Sequence, residues 1–129
     1  MHRTAASNIL WFGEVGRGDV GRVGGKNASL GEMIRALGAQ GVKVPDGFAT
    51  TADAYWRFLD RNGLRGVVGE RLADYRSGAA TLAETGTAIR QAILRGVWPD
   101  DMAAELRAAY GELGTRTGVA EPDVAVRSS

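Results

Sequence analysis

Gly24-Gly25-Lys26-Asn27-Ala28-Ser29-Leu30-Gly31-Glu32-Met33 places two glycines, a cation and a helix start in direct succession. Glycine lets the backbone turn tightly and approach a ligand closely. A helix N-terminus offers unpaired N–H groups at the positive end of a dipole, and Lys26 adds a full positive charge. These are the parts of a phosphate or carboxylate site, with nucleotide phosphate the expected ligand. Taken alone, the same residues also read as a tight turn before a helix with a solvated lysine. The phosphate-cradling pattern Gly-x-x-x-x-Gly-Lys-Ser/Thr is not met. Gly25-Lys26 fits its end, but Val20 stands at the first glycine position and Asn27 replaces the hydroxyl that would face magnesium. Gly16-Arg17-Gly18-Asp19-Val20-Gly21 has the spacing of a dinucleotide fingerprint, but no helix opens at Gly21 and no paired acidic residue follows in a βαβ unit.

Other chemistries are poorly supplied. The chain has no cysteine and one histidine, His2, so a thiolate metal site, a disulfide framework and a Ser/His/Asp triad are not expected. Sixteen Lys and Arg against fifteen Asp and Glu leave a net charge of +1, which gives no field for nucleic acid or an anionic membrane. The apolar runs fall short of the roughly 18 residues that cross a bilayer, and no export signal opens the chain. A cytoplasmic protein is the expectation. Trp11, Trp56 and Trp98 read as core or staple residues rather than a stacking platform, and Asp100-Asp101 as a helix start rather than a catalytic carboxylate pair. By itself, Arg127 reads as a surface or structural residue.

The elements that must position these residues follow from periodicity. Residues 1–8 are polar and small and read as disordered. Ile9-Leu10-Trp11-Phe12 reads as a strand buried on both faces and ended by Gly13. Residues 14–22 read as a glycine-punctuated loop. Leu30, Met33, Ile34 and Leu37 predict a helix face, capped by Asn27 or by a Ser29/Glu32 box and ended by Gly38 in the left-handed region. Val42-Lys43-Val44 alternates like a strand, Pro45-Asp46-Gly47 reads as a turn with Gly47 at positive φ, and Phe48-Ala49-Thr50 is extended. Thr51 caps a second helix that presents Tyr55, Phe58 and Leu59 and stops near Asn62-Gly63. Leu64, Val67, Val68, Leu72 and Tyr75 predict a third helix, weakened by Gly66 and Gly69 and broken at Ser77-Gly78. A fourth starts from Thr81 with Leu82, Ile89 and Ile93 inward, ending at Gly96. Pro99-Asp100-Asp101 opens a fifth, which buries Met102, Leu106, Ala109, Tyr110 and Leu113. Residues 114–123 read as a polar loop and Val124-Ala125-Val126 as the beginning of a strand that lacks a following element. The fold expected is α+β with short strands plus about five helices, an incomplete domain cut partway.

Three separated stretches carry a resemblance. Trp11-Phe12 with Gly24-Gly25-Lys26-Asn27-Ala28-Ser29-Leu30-Gly31-Glu32-Met33, then Val44-Pro45-Asp46-Gly47-Phe48-Ala49-Thr50-Thr51-Ala52-Asp53-Ala54-Tyr55, then Ala125-Val126-Arg127-Ser128-Ser129 occur in the order found at the opening of the phosphoenolpyruvate synthase (pyruvate, water dikinase) family. The resemblance implies that residues 9–129 are the N-terminal portion of an ATP-grasp-like nucleotide-binding domain, truncated at its C-terminal end. It implies Lys26 and Arg127 as ATP-phosphate contacts, with Gly24 and Gly25 offering backbone contacts. It further implies a reaction of ATP, pyruvate and water to AMP, phosphate and phosphoenolpyruvate, in the direction of gluconeogenesis, with Mg2+ and a phosphohistidine intermediate. The transfer histidine, the magnesium ligands and the pyruvate site of that family lie beyond the matched residues, and His2 stands in no matching motif. The remainder of a full-length enzyme is therefore the expected partner, and no catalytic or metal-binding residue is assigned within this chain. Pyruvate, phosphate dikinases and rifampin phosphotransferases share the Gly-Gly-Lys and Pro-x-Gly-Phe elements, but they tend toward Gly-Ala-Asn where this chain has Asn27-Ala28-Ser29. A non-catalytic, partner-binding remnant is the reading from another class.

Overall fold

The computed structural model describes residues 8–129. The expected disorder over 1–8 and the reading of His2 lie outside that range, except at Asn8. That residue is buried, and its carbonyl accepts from the Thr51 amide at 3.0 Å. The chain forms two compact units, one from Met1–Ala54 with Asp100–Ser129 and the other from Tyr55–Pro99.

The first unit is built on a two-stranded antiparallel sheet. Strand β1 (Ile9–Trp11) pairs with β2 (Phe48–Thr50) in the register Ile9–Thr50, Leu10–Ala49 and Trp11–Phe48. The apolar run is buried as its composition demands, and Leu10, Val15, Val23 and Ala49 form a core with Phe12 packed against it. The expected loop over 14–22 is instead partly helical. Short 3-10 turns at Phe12–Glu14 and Arg17–Asp19 lead into one helical turn, α1 (Val20–Val23). Glu32 fastens this stretch by accepting from the Arg17 amide at 2.8 Å.

Helix α2 (Gly25–Gly38) follows with Gly24 as its N-cap. Its most buried residues are Ala28 and Gly31, whereas Met33 of the expected apolar face is exposed. The reason is steric. A Cβ on Gly31 would meet the carbonyl oxygens of Val15 and Phe12, so the helix backbone packs directly on the 3-10 turns. Gly38 is the last helical residue but does not take positive φ; that role falls to Gly41, at φ 81°. Val42-Lys43-Val44 joins no ladder. Gly47 also keeps φ outside the left-handed region; its glycine is required because a Cβ would lie 2.6 Å from the Phe12 ring.

Helix α6 (Asp100–Thr117) completes this unit, with Met102, Ala109, Leu113 and Gly114 buried and both aspartates in its first turn. The expected stop at Gly114 is therefore a packing glycine, with the Val119 carbonyl against its face, and the chain leaves the helix at Gly118, φ 74°. The predicted strand over 124–126 is not formed. The segment is exposed and has no strand partner among the described residues. A strand needs a neighbour for its backbone hydrogen bonds, and alternation cannot supply one.

The second unit holds most of α3 (Ala52–Arg61), with α4 (Leu64–Ser77) and α5 (Leu82–Leu94). Local signals are obeyed closely here. Thr51 accepts from the Ala54 amide at 3.2 Å just ahead of the unit. Gly63 and Gly78 take φ 63° and 83° at the helix ends. Thr81 and Glu84 exchange both bonds of a capping box, 3.1 and 2.9 Å. The side chain of Asn62 holds residue Val97 at both its amide and its carbonyl, 2.7 and 2.9 Å, and Trp98 packs on Phe58 with centroids 5.1 Å apart. Leu82 departs from expectation: it is 68% exposed at the start of its helix. Trp56 and Trp98 are also exposed rather than core residues, the former lying under the Arg65 guanidinium.

Candidate functional site

The residues expected to hold an anion sit where α1 hands over to α2. Gly24, between the two helices, adopts φ 84° and ψ 165°, a conformation closed to residues with a Cβ. Its amide donates to the Val20 carbonyl at 2.8 Å, and its own carbonyl accepts from Ala28 at 3.1 Å. No side chain of α2 caps the helix: Gly24 has none, and neither Asn27 nor Ser29 plays that part. The Asn27 side-chain amide instead donates back to the Val23 carbonyl at 2.8 Å, which locks the angle between the helices. Glu32, the expected partner of Ser29, is engaged by the Arg17 amide and by Arg35, 2.8 and 3.1 Å. The hydrogen bond from the Arg17 amide holds its carboxyl below the ordinary glutamate range; desolvation opposes this, and the positive Arg35 adds to the lowering.

The missing cap comes from the far end of the chain. The Asn27 amide donates to Ser129 Oγ at 3.1 Å, across 102 residues of sequence. Ser129 also fills the space over Gly24. A Cβ built on that glycine would lie 2.5 to 2.8 Å from three atoms of Ser129. By helix geometry the amides of Gly25 and Lys26 have no intrahelical acceptor. Lys26 is exposed beside them.

Arg127 lies in the exposed segment outside regular structure, two residues before Ser129. Two residues span at most about 7 Å, so the Arg127 backbone runs close to the glycine turn. The structure thus gathers Gly24, Gly25, Lys26 and the Arg127 segment into one neighbourhood. The depressions lined by Gly111, Gly114 and Val119, and by Ala83, Thr87 and Gln91, lie on other elements. No group of three or more His, Asp or Glu able to hold a metal ion occurs among the described residues.

A second cluster, which sequence reasoning missed, steadies the same unit. Arg116 on α6 donates to Asp46 at 3.0 Å and to Glu112 at 3.1 Å, and lies over the Trp11 ring. Desolvation works against its charge, but the two carboxylates together outweigh it and raise the guanidinium pKa. The cluster ties the 45–47 segment and β1 to α6. Seventy residues separate Asp46 from Arg116, and no local pattern marks such a pair.

The family model for the pyruvate phosphate dikinase AMP/ATP-binding domain matches residues 20–129. The chain belongs to this family. It is similar to phosphoenolpyruvate synthase of Neisseria meningitidis serogroup B, 48% identical over 126 residues that cover 97% of this chain and 16% of that protein. The phosphoenolpyruvate synthases of Synechocystis and of Escherichia coli K12 are 47% and 45% identical, each over 94% of this chain and 15% of their own length. The chain therefore spans about a sixth of the length of the curated relatives it matches. The α+β fold of short strands and helices agrees with membership of this AMP/ATP-binding domain family.

Proposed function

We propose that the chain is the ATP-binding N-terminal segment of a phosphoenolpyruvate synthase, with Lys26 and Arg127 as the cations that meet the nucleotide phosphates. The observation that carries this reading is the seating of the Arg127 segment on the α2 N-terminus, through Asn27 and Ser129. In this reading the two cations and the first amides of α2 serve one anion. Cations neutralise the phosphate oxygens that gain charge in phosphoryl transfer, and amides fixed at a helix start need no reorganisation to do the same. Arginine suits the task further because its planar fork binds phosphate oxygens in pairs.

The residues present fit the phosphate end of ATP. They do not fit magnesium, for which the described residues offer no donor set, so its ligands belong in this proposal to the remainder of a longer enzyme. The same holds for the histidine that would carry the phosphoryl group and for the pyruvate site. The ATP-grasp architecture and a role in gluconeogenesis rest on the family resemblance, and a cytoplasmic location rests on the sequence reading given above. A pyruvate, phosphate dikinase or a rifampin phosphotransferase segment is the second reading, favoured by the wider family whose model matches and disfavoured by Asn27-Ala28-Ser29 after the lysine.

Calorimetric titration of the 129-residue chain with ATP tests the site. Lys26→Ala and Arg127→Ala are each expected to weaken binding at least tenfold. An affinity unchanged in both variants rules out these assignments.

A further inference from the structure

We infer that Ser129 is a positioning residue of the nucleotide site: its hydroxyl ties the segment bearing Arg127 to the glycine turn bearing Lys26 and so sets the separation of the two cations. The inference rests on the reading that these cations meet phosphate, and adds a residue that does not itself touch it.

Four observations converge on it. Helix α2 has no side-chain cap of its own, and the Ser129 hydroxyl supplies one at the Asn27 amide, 3.1 Å away. The space that a Cβ would take on Gly24 is filled by Ser129, so the glycine between the two helices also admits the incoming segment. Asn27 is itself immobilised through its side chain on the Val23 carbonyl, at 2.8 Å, so Ser129 is fastened to a fixed point. Finally, the segment carrying Arg127 is held at its other end as well. Tyr110 on α6 donates its hydroxyl hydrogen bond to the Pro122 carbonyl at 2.7 Å, and Pro122 is buried.

Between these two fastenings residues 123–128 are exposed and belong to no ladder. Arg127 is therefore located by its neighbours' bonds. Cutting the bond nearest to it removes the fastening of this segment to α2 and leaves the Pro122 bond, five residues away, so Arg127 samples more placements. A cation that must be ordered on binding contributes less to affinity than one already in place.

The test uses the full 129-residue chain with ATP as the probe, followed by backbone amide NMR, which reads affinities into the millimolar range. Ser129→Ala is expected to speed hydrogen exchange at the Asn27 amide at least fivefold and to weaken ATP about five- to tenfold. Ser129→Thr, which keeps the hydroxyl, is expected to restore both. In a cycle with Arg127→Ala, the loss from Ser129→Ala should largely vanish, because the tie acts through that arginine. A purely structural role for Ser129 would leave the losses additive. The inference is overturned if the Asn27 amide exchanges at the wild-type rate in Ser129→Ala, or if ATP binds that variant within twofold of wild type. Should the wild-type chain bind no ATP, the nucleotide reading fails, and with it the positioning role. Asn27 exchange in the absence of nucleotide then shows separately whether the tie exists.

Discussion

The guanidinium of Arg116 lies 3.6 Å from the centroid of the Trp11 ring, while its nitrogens reach Asp46 and Glu112. One side chain thus joins β1, the segment before β2 and α6. Its half-exposed setting limits the electrostatic gain, since exposed ion pairs contribute about 0–1 kcal/mol and exposed cation–π pairs about 0.5–1 kcal/mol. Arg116→Ala is expected to destabilise the first unit by about 1–2 kcal/mol in urea denaturation. Arg116→Lys should recover only part of this, because an ammonium cannot stack on the ring and reach both carboxylates at once.

The glycines of the helices should divide into two classes. At Gly31 an added Cβ runs into two backbone carbonyls, which cannot move aside as a side chain would. Gly31→Ala is expected to cost about 3 kcal/mol or to prevent folding of the first unit. At Gly69 nothing lies within 4 Å of the added atom, and the residue is helical. Gly69→Ala should therefore stabilise α4 by about 0.5–1 kcal/mol, the helix propensity difference. Thermal unfolding followed by circular dichroism distinguishes the two, and equal effects would contradict the packing described.

Helix α5 should depend on its box. Removing the Thr81 hydroxyl by Thr81→Ala leaves the Glu84 amide without its acceptor, at an expected cost of about 1 kcal/mol. Loss of helicity confined to the second unit, seen as faster amide exchange over the first turn of α5, is the corresponding observation.

Acid should remove part of this stabilisation. The backbone bond from Thr81, and then its side chain, hold the Glu84 carboxyl below the ordinary glutamate range, as the Arg17 amide does for Glu32. A depressed folded-state pKa means that the folded form prefers the carboxylate. The contribution is therefore complete above the unfolded value, about 4.3, and declines as pH falls through the lower folded values. Urea midpoints measured from pH 7 down to pH 3 should fall along this course. Glu32→Gln and Glu84→Gln should each lower the midpoint at pH 7 and flatten the acid limb, because the variant lacks the carboxylate's contribution at every pH.

Catalysis is expected to need more than these residues. The 129-residue chain should form no AMP from ATP in a pyruvate-dependent manner, since the proposal assigns the acceptor histidine and the pyruvate site to residues other than these. A coupled assay for AMP tests this directly, and clear turnover would contradict the division of labour proposed.

What was legible in the sequence was what is decided within a few residues. Thr51 and Thr81 cap because their acceptor oxygens and the amides they serve are three residues apart. Gly63 and Gly78 end helices because the left-handed turn is a local requirement. The same local logic misled at Asn27 and Ser29, where the acceptor is Ser129, and at Gly114, where the glycine accommodates a returning carbonyl inside a helix that continues. It misled at Val42 and Val124 because alternation states a preference for a ladder and cannot provide its partner. The position of Lys26 beside a helix start was readable from Gly24-Gly25. The approach of the Arg127 segment was not readable from spacing, since a contact across 102 residues leaves no periodic trace.

Gly31 has a mechanical consequence. Successive residues of an α-helix are turned by about 100°, so rotating α2 about its axis would bring a side-chain-bearing neighbour to face the carbonyls of Val15 and Phe12. That rotation is blocked in both senses. Translation along the axis soon meets the same obstacle, because only one residue of the helix at that contact is bare. Helix α2 therefore behaves as a keyed shaft, and whatever binds at its N-terminal end meets a rigid abutment rather than a hinge.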